Sequence, residues 1–211
     1  MPTSRVAAIA YRFFFAALSL AALFTQLFLV TIALGHSVVN FFGYFTILGN
    51  LFASIVFIVS AIRLLQGKSS TALDVGIRGA SVVYIAFIGI VFSTLLRDVD
   101  LGSLIPWVNI VHHYVMPIVV VLDWIIWPPQ RKLDWKAVGL WMIFPVVYVV
   151  VSLVRGAITG FYPYPFFDPT VQGGYGGVAI YCAVMVVAFV LLAIAVRAIG
   201  NLRARPLTSP K

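Results

Sequence analysis

Long apolar stretches with almost no charged residues alternate with short connections along the chain. At a rise of about 1.5 Å per residue, each stretch can cross most of a hydrocarbon core about 30 Å thick. The first stretch exceeds the apolar region of about 7–15 residues typical of a signal peptide, so it is interpreted as a retained span. The stretches cover residues 13–34, 41–62, 79–96, 106–126, 137–154 and 177–196. The pattern predicts an all-α polytopic membrane protein, with residues 1–211 forming one domain, a bundle of six transmembrane helices.

Composition strengthens this prediction. The 211 residues are 63% hydrophobic and 9% charged, whereas a soluble domain carries roughly 25% charged residues, so an ordinary cytosolic enzyme is excluded. The net charge of +8 does not indicate nucleic acid, because the basic residues lie at the ends of apolar stretches rather than on a patch with interleaved aromatic residues. The single cysteine, Cys182, permits no intrachain disulfide and no cysteine-based metal site.

The basic residues fall on alternate connections, which sets the expected orientation. Short cytoplasmic loops are enriched in Lys and Arg. One side would carry Arg5, Arg12, Arg63, Lys68, Arg78, Arg131, Lys132, Lys136, Arg197, Arg203, Arg205 and Lys211. The other side would carry only Arg97 and Arg155, beside Asp98, Asp100 and Asp168. Both termini are therefore predicted to be cytoplasmic.

Polar residues inside the predicted spans are candidates for a site, because an unpaired polar group in hydrocarbon costs several kcal/mol. On the second span Thr46, Asn50 and Ser54 recur every four residues and share one face. On the fourth span Asn109, His112 and His113 lie within about one helical turn. Counted from Phe41 and Pro106, Thr46 and His112 both lie about 8–9 Å inside the same leaflet.

A hydroxyl and an imidazole at one depth suit nucleophilic acyl transfer. A threonine hydroxyl is a weak nucleophile until a neighbouring imidazole removes its proton as general base. Asn50 or Asn109 would supply a donor to the oxyanion or orient the imidazole, and spacing does not distinguish these roles. The alternative is that Thr46 and Asn50 only pack at helix contacts, as in a non-catalytic scaffold. No cluster with metal-ligand spacing is present at this depth, so no metal or other cofactor is expected.

Three further features have alternative interpretations. The connection from Gly156 to Gly177 is rich in proline and aromatic residues, and it forms either an interfacial aromatic belt or a lid over a lipid-accessible site. Arg155 either extends to the interface or holds a substrate carboxylate. Asp123 lies eleven residues after His112, about 16 Å further along the axis of the fourth span, which is too far for it to join a catalytic triad. It is expected to pair with Arg12 or a loop cation.

Three short motifs carry a resemblance to a known family. They are Tyr44-Phe45-Thr46 at the start of the second span, Asn109 and His112 followed by Pro117 in the fourth, and Tyr164-Pro165-Phe166 in the last outer connection. In their combination and order, over essentially the whole chain, they resemble the androgen-induced protein family, in the form of a bacterial six-span member. The resemblance implies an intramembrane threonine hydrolase related to enzymes that cleave fatty acid esters of hydroxy fatty acids, in the bacterial inner (plasma) membrane.

The resemblance also assigns residues. It implies Thr46 as the nucleophile and His112 as the general acid/base, because the spacing of His112 to Pro117 matches the family and that of His113 does not. Apart from the resemblance, the sequence offers Asn50, Asn109 and His113 as supporting or oxyanion candidates, and Tyr44, Arg155, Tyr164 and Phe166 as substrate contacts. Two positions depart from the family pattern, since Gly49 stands where an aspartate is expected and Asn109 where some animal members have histidine.

The function predicted from the sequence is hydrolysis of a lipid or fatty-acyl ester in a pocket that opens toward the outer leaflet. The bilayer is the expected environment, and no nucleic acid partner is expected. The alternative is a transporter or binding protein for a small lipophilic solute that uses the polar stripe as its site. An enzyme requires the Thr46 hydroxyl within hydrogen-bond reach of a His112 nitrogen beside a closed-ended pocket, whereas a transporter requires a path to both faces.

Overall fold

The computed structural model describes residues 3–99 and 103–204, so that Asp100, Arg205 and Lys211 lie outside the described residues. Within these ranges six helices are long and apolar enough to cross a membrane, which confirms the predicted six-span helical fold. The helices are α1 (Thr3–Ile32), α2 (Phe45–Leu65), α3 (Ala72–Leu96), α4 (Pro106–Ile126), α5 (Trp135–Thr159) and α6 (Tyr175–Arg203). Most extend past the apolar stretches that predict them.

Local sequence signals explain where several helices begin and end. At the start of α3, Thr71 and Asp74 form a capping box in which each side chain accepts a hydrogen bond from the other residue's backbone N–H. This cap lets α3 begin seven residues before the apolar stretch at Gly79. Pro106 occupies the first turn of α4, where its missing N–H costs nothing. Gly160, with φ of 73°, ends α5 in the left-handed conformation that glycine adopts readily.

The helix α3 lies at the centre of the bundle. It packs against α2, α4, α5 and α6, while α1 packs along α2 and α4. The central helix is the most buried of the six, and α5 and α6 are the least buried, so most of their side chains face outward. Aromatic rings fill the space between α2, α3 and α5, where Phe45, Tyr84 and Phe144 are in mutual contact.

Three of the helices contain a π-helical turn. These turns are Leu27–Ile32 in α1, Phe92–Leu96 in α3 and Val111–Val115 in α4. Proline 117 supplies a local cause for the third, because it has no N–H to donate to the carbonyl of His113. A glycine faces it: a Cβ at Gly89 would lie 2.7 Å from the Cβ of Pro117. A π turn widens the helix and changes which side chains face a neighbour, and such turns are frequent at functional sites.

Ionic contacts join three helices near the end of the bundle where α1 begins and α6 ends. There Trp127 donates to the carbonyl of Ser4, and we call this end the terminal end and the opposite one the loop end. Asp123 is fully buried and accepts from Arg12 at 2.8 Å and from Arg78 at 2.9 Å, which confirms the expected pairing with Arg12. Arg78 also donates to the carbonyls of Asp123 and Trp127 at the end of α4.

Candidate functional site

Thr46 is the second residue of α2, at the loop end of the bundle. The prediction that this span begins at Phe41 is wrong, because a separate short helix, Val38–Phe41, is followed by a turn and by an extended residue, Tyr44, with φ of −84° and ψ of 130°. Thr46 therefore lies in the first turn of its helix and not five residues below the helix end. The first N–H groups of a helix have no intrahelical acceptor, so they need partners from elsewhere.

Two tyrosine hydroxyls supply these partners. The N–H of Phe45 donates to the hydroxyl oxygen of Tyr148 at 3.1 Å, and the N–H of Thr46 donates to that of Tyr164 at 3.2 Å. Tyr148 in turn donates to the carbonyl of Gly43 at 2.8 Å. Sequence reasoning predicts a contact role for Tyr164 but not the part played by Tyr148. The only signal for Tyr148 is a hydroxyl in an otherwise apolar span, which is not specific.

A hydrogen-bonded chain connects Thr46 with two side chains of α4. The Oγ1 atom of Thr46 lies 3.3 Å from Nε2 of His113, and Nδ1 of His113 lies 2.6 Å from Oδ1 of Asn109. Because a carboxamide oxygen only accepts, Nδ1 carries the ring proton and Nε2 presents its lone pair to the Thr46 hydroxyl. The ring of Phe92 stacks on the imidazole at 4.0 Å between centroids. These contacts therefore hold the imidazole of His113 in one tautomer and one orientation.

The expected contact between Thr46 and His112 is corrected by the structure. His112 is buried, and its Nε2 donates to the carbonyl of Ser19 in α1 at 3.1 Å. Adjacent residues on a helix point about 100° apart, so only one of the two histidines can face Thr46. Both sit in the π turn of α4, and the spacing of a regular helix does not decide between them. The imidazole beside Thr46 is that of His113.

Asn50 does not join the polar chain. Its Nδ2 donates to the carbonyl of Thr46 at 2.9 Å, one turn back along α2, and its side chain is fully buried. The hydroxyl of Ser54 makes the equivalent bond to the carbonyl of Asn50. This polar stripe is thus explained largely by bonds to the helix's own carbonyls. The space beside Gly49 is filled by Ile88, whose Cδ1 would lie 2.6 Å from a Cβ at that position.

Two cavities meet at the polar chain. The first, of about 200 Å³, is almost entirely apolar, and we call it the chamber. The second, of about 500 Å³, has polar side chains on its wall, and we call it the vestibule. The chamber is lined by residues that include Phe45, Phe87, Met142, Val149, Met185 and Phe189, and the vestibule by residues that include Gln26, Thr31, His36, Ser37, Asn40 and His112. Both are lined by Thr46, Leu96, His113 and Tyr164.

The remaining predicted substrate contacts lie around these cavities. Tyr44 lines the vestibule and Phe166 lines the chamber, where its ring stacks on Tyr164 at 5.0 Å between centroids. Arg155 lies behind the vestibule wall, where its guanidinium hydrogen-bonds to the Oδ1 of Asn40 and lies 4.9 Å from the ring centroid of Phe161.

The last loop covers the site from the loop end. The side chains of Tyr164, Phe166 and Phe167 are buried beneath it. These three rings therefore face the interior of the bundle and do not form an outward-facing aromatic belt.

Tyr164 also contributes a donor beside Thr46. Its hydroxyl lies 3.4 Å from Oγ1 of Thr46, and because its oxygen already accepts from the Thr46 N–H, its own hydrogen is available for donation. Burial raises the pKa of Tyr164, so the phenol keeps this hydrogen at neutral pH. The N-terminus of α2, which lies at the same point, adds the positive pole of the helix dipole. The site therefore combines a hydroxyl, a base acceptor and a neutral donor.

Comparisons with known proteins were made on the whole chain. No protein-family model matches it, and no match was found among curated proteins or solved structures. Among residues 3–99 and 103–204, no three His, Cys, Asp or Glu side chains form a group that could hold a metal ion. What the residues define is a six-span helical membrane protein in which hydrogen bonds connect a buried Thr46 and a buried His113 with a half-buried Asn109, between an apolar and a polar cavity.

Proposed function

We propose that the protein is an integral membrane hydrolase of lipid esters, with Thr46 as nucleophile and His113 as general acid/base. One observation carries the proposal: the chain from Thr46 through His113 to Asn109 ends at the point where the chamber and the vestibule meet. Nucleophile, base and orienting residue in hydrogen-bond sequence are the general pattern of covalent acyl transfer. Asn109 takes the orienting position that Asp or Asn holds in other triads.

The first half of the reaction uses the proton of Thr46. As its Oγ1 attacks the ester carbonyl, the proton passes to Nε2 of His113, and the carbonyl electrons move onto oxygen. Collapse of the tetrahedral intermediate breaks the bond to the alcohol, which leaves with the proton from His113. The product is an acyl ester of Thr46. Tyr164 and the dipole of α2 stabilise the oxyanion in a site where the buried surroundings strengthen such contacts.

The second half uses water from the vestibule. His113 takes one proton from the water as its oxygen attacks the acyl-threonine, and then returns that proton to the Oγ1 of Thr46. The carboxylic acid is released and the site is restored. The vestibule has the hydroxyl of Thr31 and the carboxamides of Gln26 and Asn40 on its wall, so it is a suitable reservoir for water. The apolar chamber suits the hydrocarbon part of the ester.

The resemblance to the androgen-induced protein family adds the substrate class of fatty acid esters of hydroxy fatty acids to this proposal. The nucleophile is the one that the resemblance implies, and the base is the neighbouring histidine, His113 in place of His112. Transport of a lipophilic solute is less well supported. Toward the terminal end the interior between α1, α3 and α4 is filled by the paired side chains of Arg12, Arg78 and Asp123.

The test is covalent labelling of the purified protein with a long-chain alkyl fluorophosphonate, followed by peptide mass spectrometry. We expect one adduct, on Thr46, that persists in Thr46→Ser and is lost in Thr46→Ala, because only an activated hydroxyl reacts. Thr31→Ala is the matched control, since Thr31 is also a buried threonine on the vestibule wall but donates to the carbonyl of Gln26. An adduct on another residue, or none on folded protein, would contradict the proposal.

The two capping tyrosines are expected to differ in their effect on the reaction. Each phenylalanine substitution removes the acceptor of one N–H in the first turn of α2, so both variants should lose similar stability. Only Tyr164 reaches the Thr46 side chain, so Tyr164→Phe should slow labelling by about a hundredfold, in the range found for loss of one oxyanion donor. Tyr148→Phe should slow it by less than about tenfold. Equal rates for the two variants would exclude Tyr164 as the donor.

A further inference from the structure

The chamber wall has an opening between α5 and α6. Val146 and Val150 of α5 and Val186 of α6 line the chamber, yet all three are exposed on the outer surface of the bundle. The chamber is only partly enclosed, and these exposed lining residues mark where it reaches the outer surface. Since both helices are of membrane-spanning length and composition, this surface faces hydrocarbon in a bilayer. We call these three residues the lateral portal.

Backbone and loop contacts explain why the gap exists at this level. Pro145 lies inside α5 and removes one helical hydrogen bond next to the portal. Nearer the loop end, the gap between α5 and α6 is closed by the loop that connects them: the hydroxyl of Tyr162 in this loop lies 3.2 Å from that of Tyr175 at the start of α6, and the buried rings of the loop pack beside it. The two helices are thus joined above the portal and leave the chamber open beside it.

The chemistry of the opening selects what can pass. All three portal residues are valines, which offer no hydrogen bond to a headgroup that leaves water. A hydrocarbon chain makes no such demand. At the inner side of the chamber stand Thr46 and His113, and beyond them lies the vestibule with its polar wall. An ester group is polar at its carbonyl and apolar along its chain, so it fits this sequence of surfaces.

We propose that the lateral portal is the entrance through which an acyl chain passes from the bilayer into the chamber. The chain then occupies the chamber, the ester carbonyl lies at Thr46, and the alcohol part of the molecule faces the vestibule. This inference rests on the proposed function of the site. It identifies the substrate as a bilayer-dissolved ester whose acyl chain, rather than its alcohol part, is held by the apolar cavity, and it makes α5 and α6 the helices that control access.

Neighbouring valines allow a matched test. Val150 lines the chamber and Val151 does not, although each is 56% exposed. Val186, at 44%, and Val187, at 59%, form a second such pair on α6. Tryptophan at Val150 or Val186 should obstruct the portal, whereas tryptophan at Val151 or Val187 should add bulk only on the lipid side.

The readout is Thr46 labelling in phosphatidylcholine vesicles by a long-chain alkyl fluorophosphonate and by a short, water-soluble one. For Val150→Trp and Val186→Trp the ratio of long-chain to short-chain labelling rates should fall about tenfold or more, because a filled passage costs the long chain more than a probe arriving from the vestibule. Val151→Trp and Val187→Trp should keep the ratio of the unmodified protein. Equal ratios in all four variants, with Thr46 still labelled, would overturn the portal and leave the hydrolase in place.

A binding measurement separates the portal from the catalytic proposal. A fatty acid with a diazirine near its methyl end should crosslink to chamber residues such as Met185 and Phe189, in the unmodified protein and in Thr46→Ala alike. Excess oleate should suppress the crosslinks, and Val150→Trp should reduce them while Val151→Trp does not. This result without any Thr46 adduct would support the portal and reject the hydrolase. An equal crosslink yield in Val150→Trp, Val151→Trp and the unmodified protein would overturn the inference.

Discussion

Replacing His113 with glutamine should slow the reaction of Thr46 with a fluorophosphonate by about a thousandfold, within the range of 10²–10⁴ typical of a lost general base. The same substitution at His112 should change the rate by less than about tenfold. Glutamine has similar length and can hydrogen-bond, but it does not take up a proton at neutral pH. The pair therefore separates base catalysis from packing at two adjacent positions.

The expected difference follows from what each ring nitrogen contacts. Nε2 of His113 faces the Thr46 hydroxyl at 3.3 Å, and its other nitrogen is held by Asn109. The Nε2–H of His112 instead donates to the carbonyl of Ser19, and a glutamine amide can make the same hydrogen bond. His112 therefore stabilises the contact between α4 and α1, whereas His113 is placed to act as the base in the proposed reaction.

The measurement is the pseudo-first-order rate of adduct formation, followed by intact-protein mass spectrometry at several probe concentrations. Thermal unfolding in detergent is the control for folding, because both histidines are buried. A large loss of rate in His112→Gln with an unaffected His113→Gln would reverse the assignment and support the residue that the spacing to Pro117 implies. Similar losses in both would show that the two rings act as one packed unit.

The number of spans could be predicted from the sequence because hydrocarbon imposes a simple requirement on length and polarity. The same requirement identifies Thr46, Asn109 and the adjacent histidines as unusual, since polar groups inside spans need partners. The residues at which the helices begin and end were harder to predict from the sequence. The start of α2 depends on the turn before Tyr44, whose conformation is fixed by contacts with distant parts of the chain such as the bond from Tyr148 to the Gly43 carbonyl.

The choice between His112 and His113 could not be made from spacing alone. A regular helix offers one periodicity, but the turn at Val111–Val115 is π-helical, and the packing of Pro117 against Gly89 adjoins it. The hydrogen bonds of the two tyrosines could not be predicted either, because Tyr148 and Tyr164 are more than a hundred residues away in sequence from the N–H groups at the start of α2. Bonds of this kind are set by how the helices assemble, not by any local pattern.

The largest effect on stability is expected at the opposite end of the bundle, from Asp123→Asn. Asp123 is fully buried between the guanidiniums of Arg12 and Arg78. Loss of its charge leaves the buried Arg12 and the mostly buried Arg78 without a counter-ion, and breaking a buried pair in this way costs about 3–5 kcal/mol. Labelling of Thr46 in the protein that remains folded should persist, because His113 lies roughly 15 Å further along α4.

The matched control is Asp74→Asn, which also removes an aspartate paired with an arginine, Arg63, at 2.9 Å. The side chains of that pair are 29% and 25% exposed, so water compensates the lost charge. Asparagine keeps a side-chain oxygen that can accept from the Thr71 N–H in the capping box, so the cost should stay below about 1 kcal/mol. Both free energies of unfolding can be measured by titration with denaturing detergent in mixed micelles. Adding Arg12→Met to Asp123→Asn should recover part of the stability, because it removes one uncompensated charge and leaves an apolar side chain in its place. A further loss in the double variant would mean that Arg12 stabilises the bundle through packing rather than through its charge, and that the ion pairs are not what holds α1 against α4.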